Sequence, residues 1–352
     1  IWKDFSSGKG GNVVAFLMEH EGFSYPEALK YLGKKYNIEI EEFSNTPEEQ
    51  IKFDLRESIY IALSFSSEYY SENLNNTDKG KSIGMSYLNT RGFLKESIKK
   101  FGLGISFNEK KSFTDQALKN GYEISILQKS GLTIKEGKET FDRFKNRIMF
   151  PIKSISGRVL GYGARIMSNS SKIAKYINSP ESEVYQKSKV LYGLFESKSN
   201  IIKEDNCLLV EGYTDVIQLH QKGIKNVVSS SGTALSSDQI MLLKRLTENV
   251  TVIFDRDQAG INAALRGIDL ILEHGMNVRI CKLDEGEDPD SLARKHSLDY
   301  IKNFIIQNSL DFINFKASLL ATEYENEPTK KAEVINNIVK SISLVKDIIK
   351  RE

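Results

Sequence analysis

The spacing of apolar residues changes character along the chain, and each change marks a different architecture. After a Gly-rich opening, residues 13–19 and 25–35 carry apolar positions at helical spacing. Pro26 stands at the start of the second helix, where its missing N–H costs nothing. A polar stretch, Ser-Asn-Thr-Pro-Glu-Glu-Gln at 44–50, predicts a linker running into a helix. Helical patterns follow at 50–74, 82–90 and 95–100, then a mixed region with a predicted hairpin between Phe150-Pro151-Ile152 and 158–163. From about residue 206 the rhythm becomes strand–helix–strand, with strands at 207–211, 226–230, 250–254 and 277–283. Helices at 213–222, 236–247 and 258–274 separate them. That alternation predicts βαβ crossovers, and so an α/β fold with a mainly parallel sheet flanked by helices. After 290 the pattern is helical to the end, broken at Glu325-Asn326-Glu327-Pro328.

A length of 352 residues predicts two or three domains. The changes of rhythm place the divisions at 1–43, 44–205, 206–295 and 296–352. With 40% hydrophobic residues and a net charge of +2, the composition is that of a soluble globular protein. The two cysteines, Cys207 and Cys281, each lie in a strand-like run. They are expected to be buried small hydrophobes in a reducing cytoplasm, with no disulfide and no Cys-rich zinc site. No apolar run approaches a membrane span and no signal-peptide pattern is present, so no membrane partner is expected. The chain starts with Ile and stops within a helical pattern, as a fragment of a longer protein would.

Acidic residues gather where the predicted parallel strands end. Glu211 follows Leu208-Leu209-Val210, Asp255 and Asp257 follow Val252-Ile253-Phe254, and Asp288 and Asp290 follow the last strand of the unit. Asp215 lies one helical turn beyond Glu211 on the same side. In an open α/β sheet these positions line the crevice beyond the carboxyl ends of the strands, where ligands bind. Any one cluster could be a solvated turn or a helix cap. Three at equivalent strand ends point to shared cations, and hard oxygen donors suit Mg²⁺ or Mn²⁺.

A basic segment precedes them. Between Arg143 and Gly193 there are ten basic residues opposed only by Glu181 and Glu183. Such an excess beside an acidic metal site suits a polyanion held across both, although basic runs are most often solvated faces. Tyr162, Tyr176 and Tyr185 are interleaved, placed for base stacking or for a core.

The stretches Val210-Glu211-Gly212-Tyr213-Thr214-Asp215, Ser231-Gly232-Thr233-Ala234, Phe254-Asp255-Arg256-Asp257-Gln258-Ala259-Gly260 and Glu287-Asp288-Pro289-Asp290 resemble the TOPRIM domain. That domain is shared by primases, topoisomerases and some nucleases. Upstream, Arg143 to Ile152, Gly157 to Arg165, Lys175-Tyr176-Ile177-Asn178-Ser179-Pro180 and Tyr185 to Leu194 resemble the catalytic core of bacterial replicative DNA primases. The resemblance covers almost the whole chain. It implies a remnant zinc-type module (1–43), a primase-specific α+β basic subdomain (44–205), a TOPRIM domain (206–295) and a truncated helical subdomain (296–352).

The resemblance further implies RNA primer synthesis on single-stranded DNA from NTPs, with Mg²⁺ or Mn²⁺. Glu211, Asp255 and Asp257 would be the catalytic metal set, Glu211 being a metal ligand or the general base. Asp215, Asp288 and Asp290 would be outer or second-ion ligands. Arg143, Arg147, Arg165, Lys175 and Lys187 would hold template and NTP phosphates, with Asn178 adding hydrogen bonds. A replicative helicase is the implied protein partner, through a C-terminal domain absent here. The family's zinc module ends in Cys-x-x-Cys before a Gly-Lys-Gly-Gly-like turn; here Asp4 and Ser7 take those positions. Serine is a poor Zn²⁺ ligand, so a zinc-free remnant is expected. The alternatives are a TOPRIM strand-cleaving enzyme, which would need a tyrosine nucleophile at the acidic cluster, and a catalytically silent nucleic-acid-binding module.

Overall fold

The computed structural model describes residues 2–3, 10–23, 25–36, 47–167, 173–232, 234–254, 258–284, 286–322 and 328–346. At its start, β1 (Trp2–Lys3) pairs antiparallel with β2 (Gly10–Gly11). The two expected helices follow as Val13–His20 and Tyr25–Tyr36, the first capped by Asn12, whose Oδ1 accepts from the Ala15 N–H at 2.9 Å.

The long helix Pro47–Asn76 buries Ile59, Ala62, Leu63, Tyr70 and Leu74. The single helix expected over 82–90 is instead a π-helical turn, Gly80–Met85, running into the α-helix Ser86–Thr90. Gly80 permits it: a Cβ there would stand 1.8 Å from the Asn73 carbonyl oxygen. The helix Lys95–Phe101 then leads into a four-stranded antiparallel sheet of order β3 (Gly104–Ser106), β6 (Arg147–Lys153), β7 (Val159–Ile166) and β8 (Tyr176–Asn178). Between β3 and β6 lie two short helices and a separate hairpin, β4 (Thr133–Glu136) with β5 (Glu139–Asp142). The predicted hairpin is β6–β7, with Pro151 opposite Tyr162 and Ile152 opposite Gly161.

The second sheet has five strands in the order β10 (Val227–Ser229), β9 (Cys207–Val210), β11 (Asn249–Phe254), β12 (Asn277–Lys282) and β13 (Ser309–Asp311). The first four are parallel and β13 is antiparallel to β12. Helices Tyr213–Gln221, Ser237–Lys244 and Gln258–Glu273 make the crossovers, within a few residues of expectation. β13 breaks the all-helical pattern expected after 290.

Alternation along β9 sorts its side chains to two faces. Cys207 and Leu209 join an apolar cluster with Val228, Val252, Phe254 and Ile268. Leu208 and Val210 join another with Val216, Ile217 and Ile253, and that second cluster runs on without a break through Tyr192, Ile148, Phe150 and Ile152 of the first sheet. The two sheets therefore share one core. The helix Leu194–Glu204 packs Leu194 and Ile201 onto the opposite face of the five-stranded sheet, and Ser197 Oγ donates to the Val227 carbonyl at 2.7 Å. Both cysteines are free and buried. No helix among the described residues is long and apolar enough to cross a membrane.

Candidate active site

The three acidic strand ends are neighbours in the sheet. β11 lies between β9 and β12, with Leu209 opposite Val252 and Lys282 opposite Phe254. Glu211 stands one residue past β9, exposed, so it reaches the same edge as Phe254, about 5 Å away across one strand spacing. Asp255 and Asp257 continue from Phe254 and lie outside the described residues, as does Thr233. Among the described residues no three of His, Cys, Asp and Glu gather closely enough to hold a metal ion. The donors that sequence and topology bring to this edge are carboxylates, without thiolate or imidazole, which suits a hard divalent cation.

The other three acids have visible local roles. Asp215 is buried at the start of the helix Tyr213–Gln221, and its Oδ2 accepts from the Gly212 N–H at 2.8 Å. Asp288 is exposed and caps the helix Pro289–Lys295, accepting from the Ser291 N–H at 2.6 Å. Asp290 is only 4% exposed; one oxygen accepts from Arg91 at 2.8 Å and the other from Arg294 at 3.0 Å. Both of its oxygens are engaged by guanidinium groups. Asp290 thus links the turn at Arg91 to the helix Pro289–Lys295 through an ion pair.

The basic residues divide in the same way. Arg147 is 5% exposed and donates to the carbonyls of Ala164, Ala174 and Lys175 at 3.1–3.4 Å. It staples the loop before β8 to β7 through these carbonyls. Arg165 is also buried, with Nε donating to the Tyr87 hydroxyl at 2.8 Å and Nη1 to the Tyr176 hydroxyl at 2.6 Å. Arg143 is half-buried, which lowers its basicity, and its buried Nε meets no partner among the described residues. Lys175 is exposed just before β8, and Lys187 is partly exposed in the turn Lys187–Lys189. Asn178 faces inward: its Oδ1 accepts from the Tyr213 hydroxyl at 2.7 Å and its Nδ2 donates to the Ser231 carbonyl at 3.4 Å.

Some participants carry no signal in the sequence. Lys110, Lys111 and Lys145 set their ammonium groups 5.7–5.9 Å from the ring of Phe141. Lys110 and Lys111 lie far upstream, and only the fold brings them to Lys145. Tyr176 packs against the start of the acidic helix, in contact with the Thr214 hydroxyl. Burial raises the Tyr176 pKa, Arg165 works against that shift and Asp215 adds to it. Ser231 adopts φ +62°, a left-handed conformation that few non-glycine residues take, and Gly232 beside it donates its N–H to the Glu211 carbonyl at 3.2 Å. Asp4 and Ser7 lie outside the described residues.

Comparison with known proteins shows the family. Family models match at residues 69–198 (DNA primase catalytic core, N-terminal domain), 208–293 (Toprim-like) and 1–48 (CHC2 zinc finger). A DNA primase of Clostridium acetobutylicum is 36% identical over 97% of this chain. The chain spans only 56% of that protein's length. A DNA primase domain from Pseudomonas aeruginosa superimposes with a TM-score of 0.74 at 32% identity, over 83% of this chain and 92% of that one. A DnaG primase catalytic domain bound to ssDNA gives 0.76 at 31% identity, over 85% and 93%. With the TOPRIM fold, the upstream α+β sheet and these likenesses together, the chain belongs to the bacterial DNA primase family.

Proposed function

We propose that this chain carries the primer-synthesising activity of a DNA primase, joining ribonucleotides on a single-stranded DNA template. The observation that carries the reading is the Tyr213–Asn178 contact at 2.7 Å, which sets the basic sheet directly against the strand end bearing Glu211. A polyanion held on that sheet would run to the acidic edge. The ssDNA-bound relative supports a single-stranded template, and the fold supports nucleotidyl transfer over strand cleavage or mere binding.

Glu211, Asp255 and Asp257 would hold Mg²⁺ or Mn²⁺, with Asp215 and Asp288 at the periphery. The bound cations would activate the 3′-hydroxyl and offset charge on the leaving pyrophosphate. Lys175, Lys187 and Arg143 would hold template and NTP phosphates, joined by Lys110, Lys111 and Lys145 around Phe141. Arg165 is buried and donates to the Tyr176 hydroxyl. Base pairing would read the template. The four-part division at 43, 205 and 295 remains our proposal, with the helix Leu194–Glu204 packed on the TOPRIM side. A zinc-free N-terminal module, a cytoplasmic location and helicase docking through a further C-terminal domain belong to the same proposal.

The direct test is incubation with a single-stranded template, NTPs and Mg²⁺ or Mn²⁺. Short template-dependent RNA is expected; template cleavage, or binding without product, would reject the reading.

A further inference from the structure

β8 is only three residues long, yet it faces two ways. Ile177 packs into the apolar core under the long helix. Tyr176 and Asn178, two apart and so on one face, both point at the TOPRIM edge. From Tyr176 a polar chain runs back to Arg165, whose Nη1 donates to its hydroxyl at 2.6 Å, and forward to Thr214 beside Asp215. From Asn178 a second chain runs to the Tyr213 hydroxyl and to the Ser231 carbonyl. Ser231 is the left-handed residue of the turn whose next N–H, on Gly232, binds the Glu211 carbonyl. Asn178 is therefore one amide between three strand ends: its own, that of β9 through Tyr213, and that of β10 through Ser231.

We propose that Tyr176 and Asn178 are positioning residues, which set the phosphate-binding sheet in register with the acidic edge rather than touching template or nucleotide. The inference rests on the function proposed above and assigns Asn178 a role different from the template contact expected of it. The phosphate-binding residue Lys175 is next in the chain, and its carbonyl is held by Arg147. A load on Lys175 is thus delivered to β8 and through it to the turn at Glu211. Loss of either polar chain leaves each binding surface intact but misaligned, which lowers turnover without lowering affinity.

Two substitutions separate this from a contact role. Tyr213→Phe keeps the ring, stacked 5.5 Å from Phe150, and removes the hydroxyl that joins Asn178 and the Ser231 side chain. Asn178→Asp keeps an acceptor for Tyr213 but sets an anion against the Ser231 carbonyl. For both we expect kcat of primer synthesis to fall about tenfold, the size of one hydrogen bond. The KM for NTP, the Kd for ssDNA and the Kd for Mn²⁺ should stay within about twofold. A risen ssDNA Kd with kcat unchanged would make Asn178 a template contact and overturn the proposal. Unchanged kcat in both, or a lowered melting temperature alone, would make the contact merely structural and overturn it too. Alignment is also read without primer synthesis, by loading Fe²⁺ in place of Mg²⁺ and mapping radical cleavage of bound ssDNA. The wild-type chain should cut one narrow cluster of nucleotides, and both variants should cut more weakly and diffusely at equal occupancy. An unchanged cleavage pattern refutes the positioning role even if the wild-type chain makes no primers, an outcome that would reject only the function.

Discussion

Gly163 of β7 lies so close to Tyr213 that a Cβ on it would stand 2.3 Å from the ring carbon Cζ. The strand and the start of the acidic helix fit together only because that side chain is missing. Gly163→Ala must displace the ring or the strand, so it is expected to destabilise the fold by about 2 kcal/mol, as overpacked cores do. Chemical denaturation measures this, and primer synthesis should fall by more than the unfolded fraction explains. Wild-type stability and activity in this variant would mean that the contact is loose.

The acidic residues should divide into two classes. Asp255→Ala, Asp257→Ala or Glu211→Gln should abolish primer synthesis while leaving the unfolding midpoint unchanged. Asp290→Asn should do something different. It weakens the pairs with Arg91 and Arg294, both partly exposed, and should cost about 1–2 kcal/mol of stability while Mn²⁺ still binds. Calorimetric Mn²⁺ titration decides it: abolished binding in Asp290→Asn would return this residue to the metal set.

Template affinity should fall steeply with salt. Lys175→Ala, Lys187→Ala and the triple replacement of Lys110, Lys111 and Lys145 should each weaken ssDNA or NTP binding without changing Mn²⁺ affinity. Every cation removed from a phosphate should flatten the slope of log K against log salt by roughly 0.7 for a single strand. Fluorescence anisotropy over a salt series measures it. A slope that the triple variant leaves intact would place the template elsewhere.

His220 supplies a pH test. It is buried against Phe101 at 5.2 Å between ring centroids, and its Nε2 meets no partner among the described residues. Burial, reinforced by Lys100 and Lys225, lowers its pKa from 6.5 to about 4. The unfolded chain therefore binds this proton more readily, so its contribution is intact above pH about 6.5 and lost progressively toward pH about 4. The loss should approach about 3 kcal/mol at most. His220→Gln should flatten stability over that window, as urea melts at several pH values would reveal; an unaltered profile would show that another group titrates.

Metal analysis of the purified protein should find far less than one zinc per chain, since Asp4 and Ser7 replace two of the expected thiolates. A tightly held stoichiometric zinc would refute this and bring the N-terminal segment into line with the CHC2 zinc finger model that it matches.

The four parallel strands of the five-stranded sheet were legible because strand and helix periods alternate there and the acidic strand ends recur. Short elements were not. β8 and β13 have three residues each and β13 lies between helical segments, whereas the equally short β10 sits within the strand–helix alternation. The candidate site was legible in its residue types but not in their orientation. Arg147 and Lys175 are both basic residues in one segment, yet one turns inward to carbonyls and the other outward to solvent. Charge counts along a sequence cannot separate them, because the difference lies in which face of a short strand or loop each occupies. Asn178 differs from a surface amide through Tyr213 and Ser231, 35 and 53 residues away.

The margins of the TOPRIM sheet carry a consequence for how this protein meets others. On one side β13 runs against β12, and on the other Ser229 of β10 exchanges both backbone hydrogen bonds with Tyr192 at 2.9 and 3.0 Å. A long bare strand would invite a neighbouring chain to lengthen the sheet, and proteins often blunt that hazard with short or covered borders. Here the outermost strand offers three residues and the opposite border is interrupted at Ser229. A neighbouring chain therefore finds little backbone on these margins to zip onto. Association there must be specified through side chains, which sequence can tune one residue at a time.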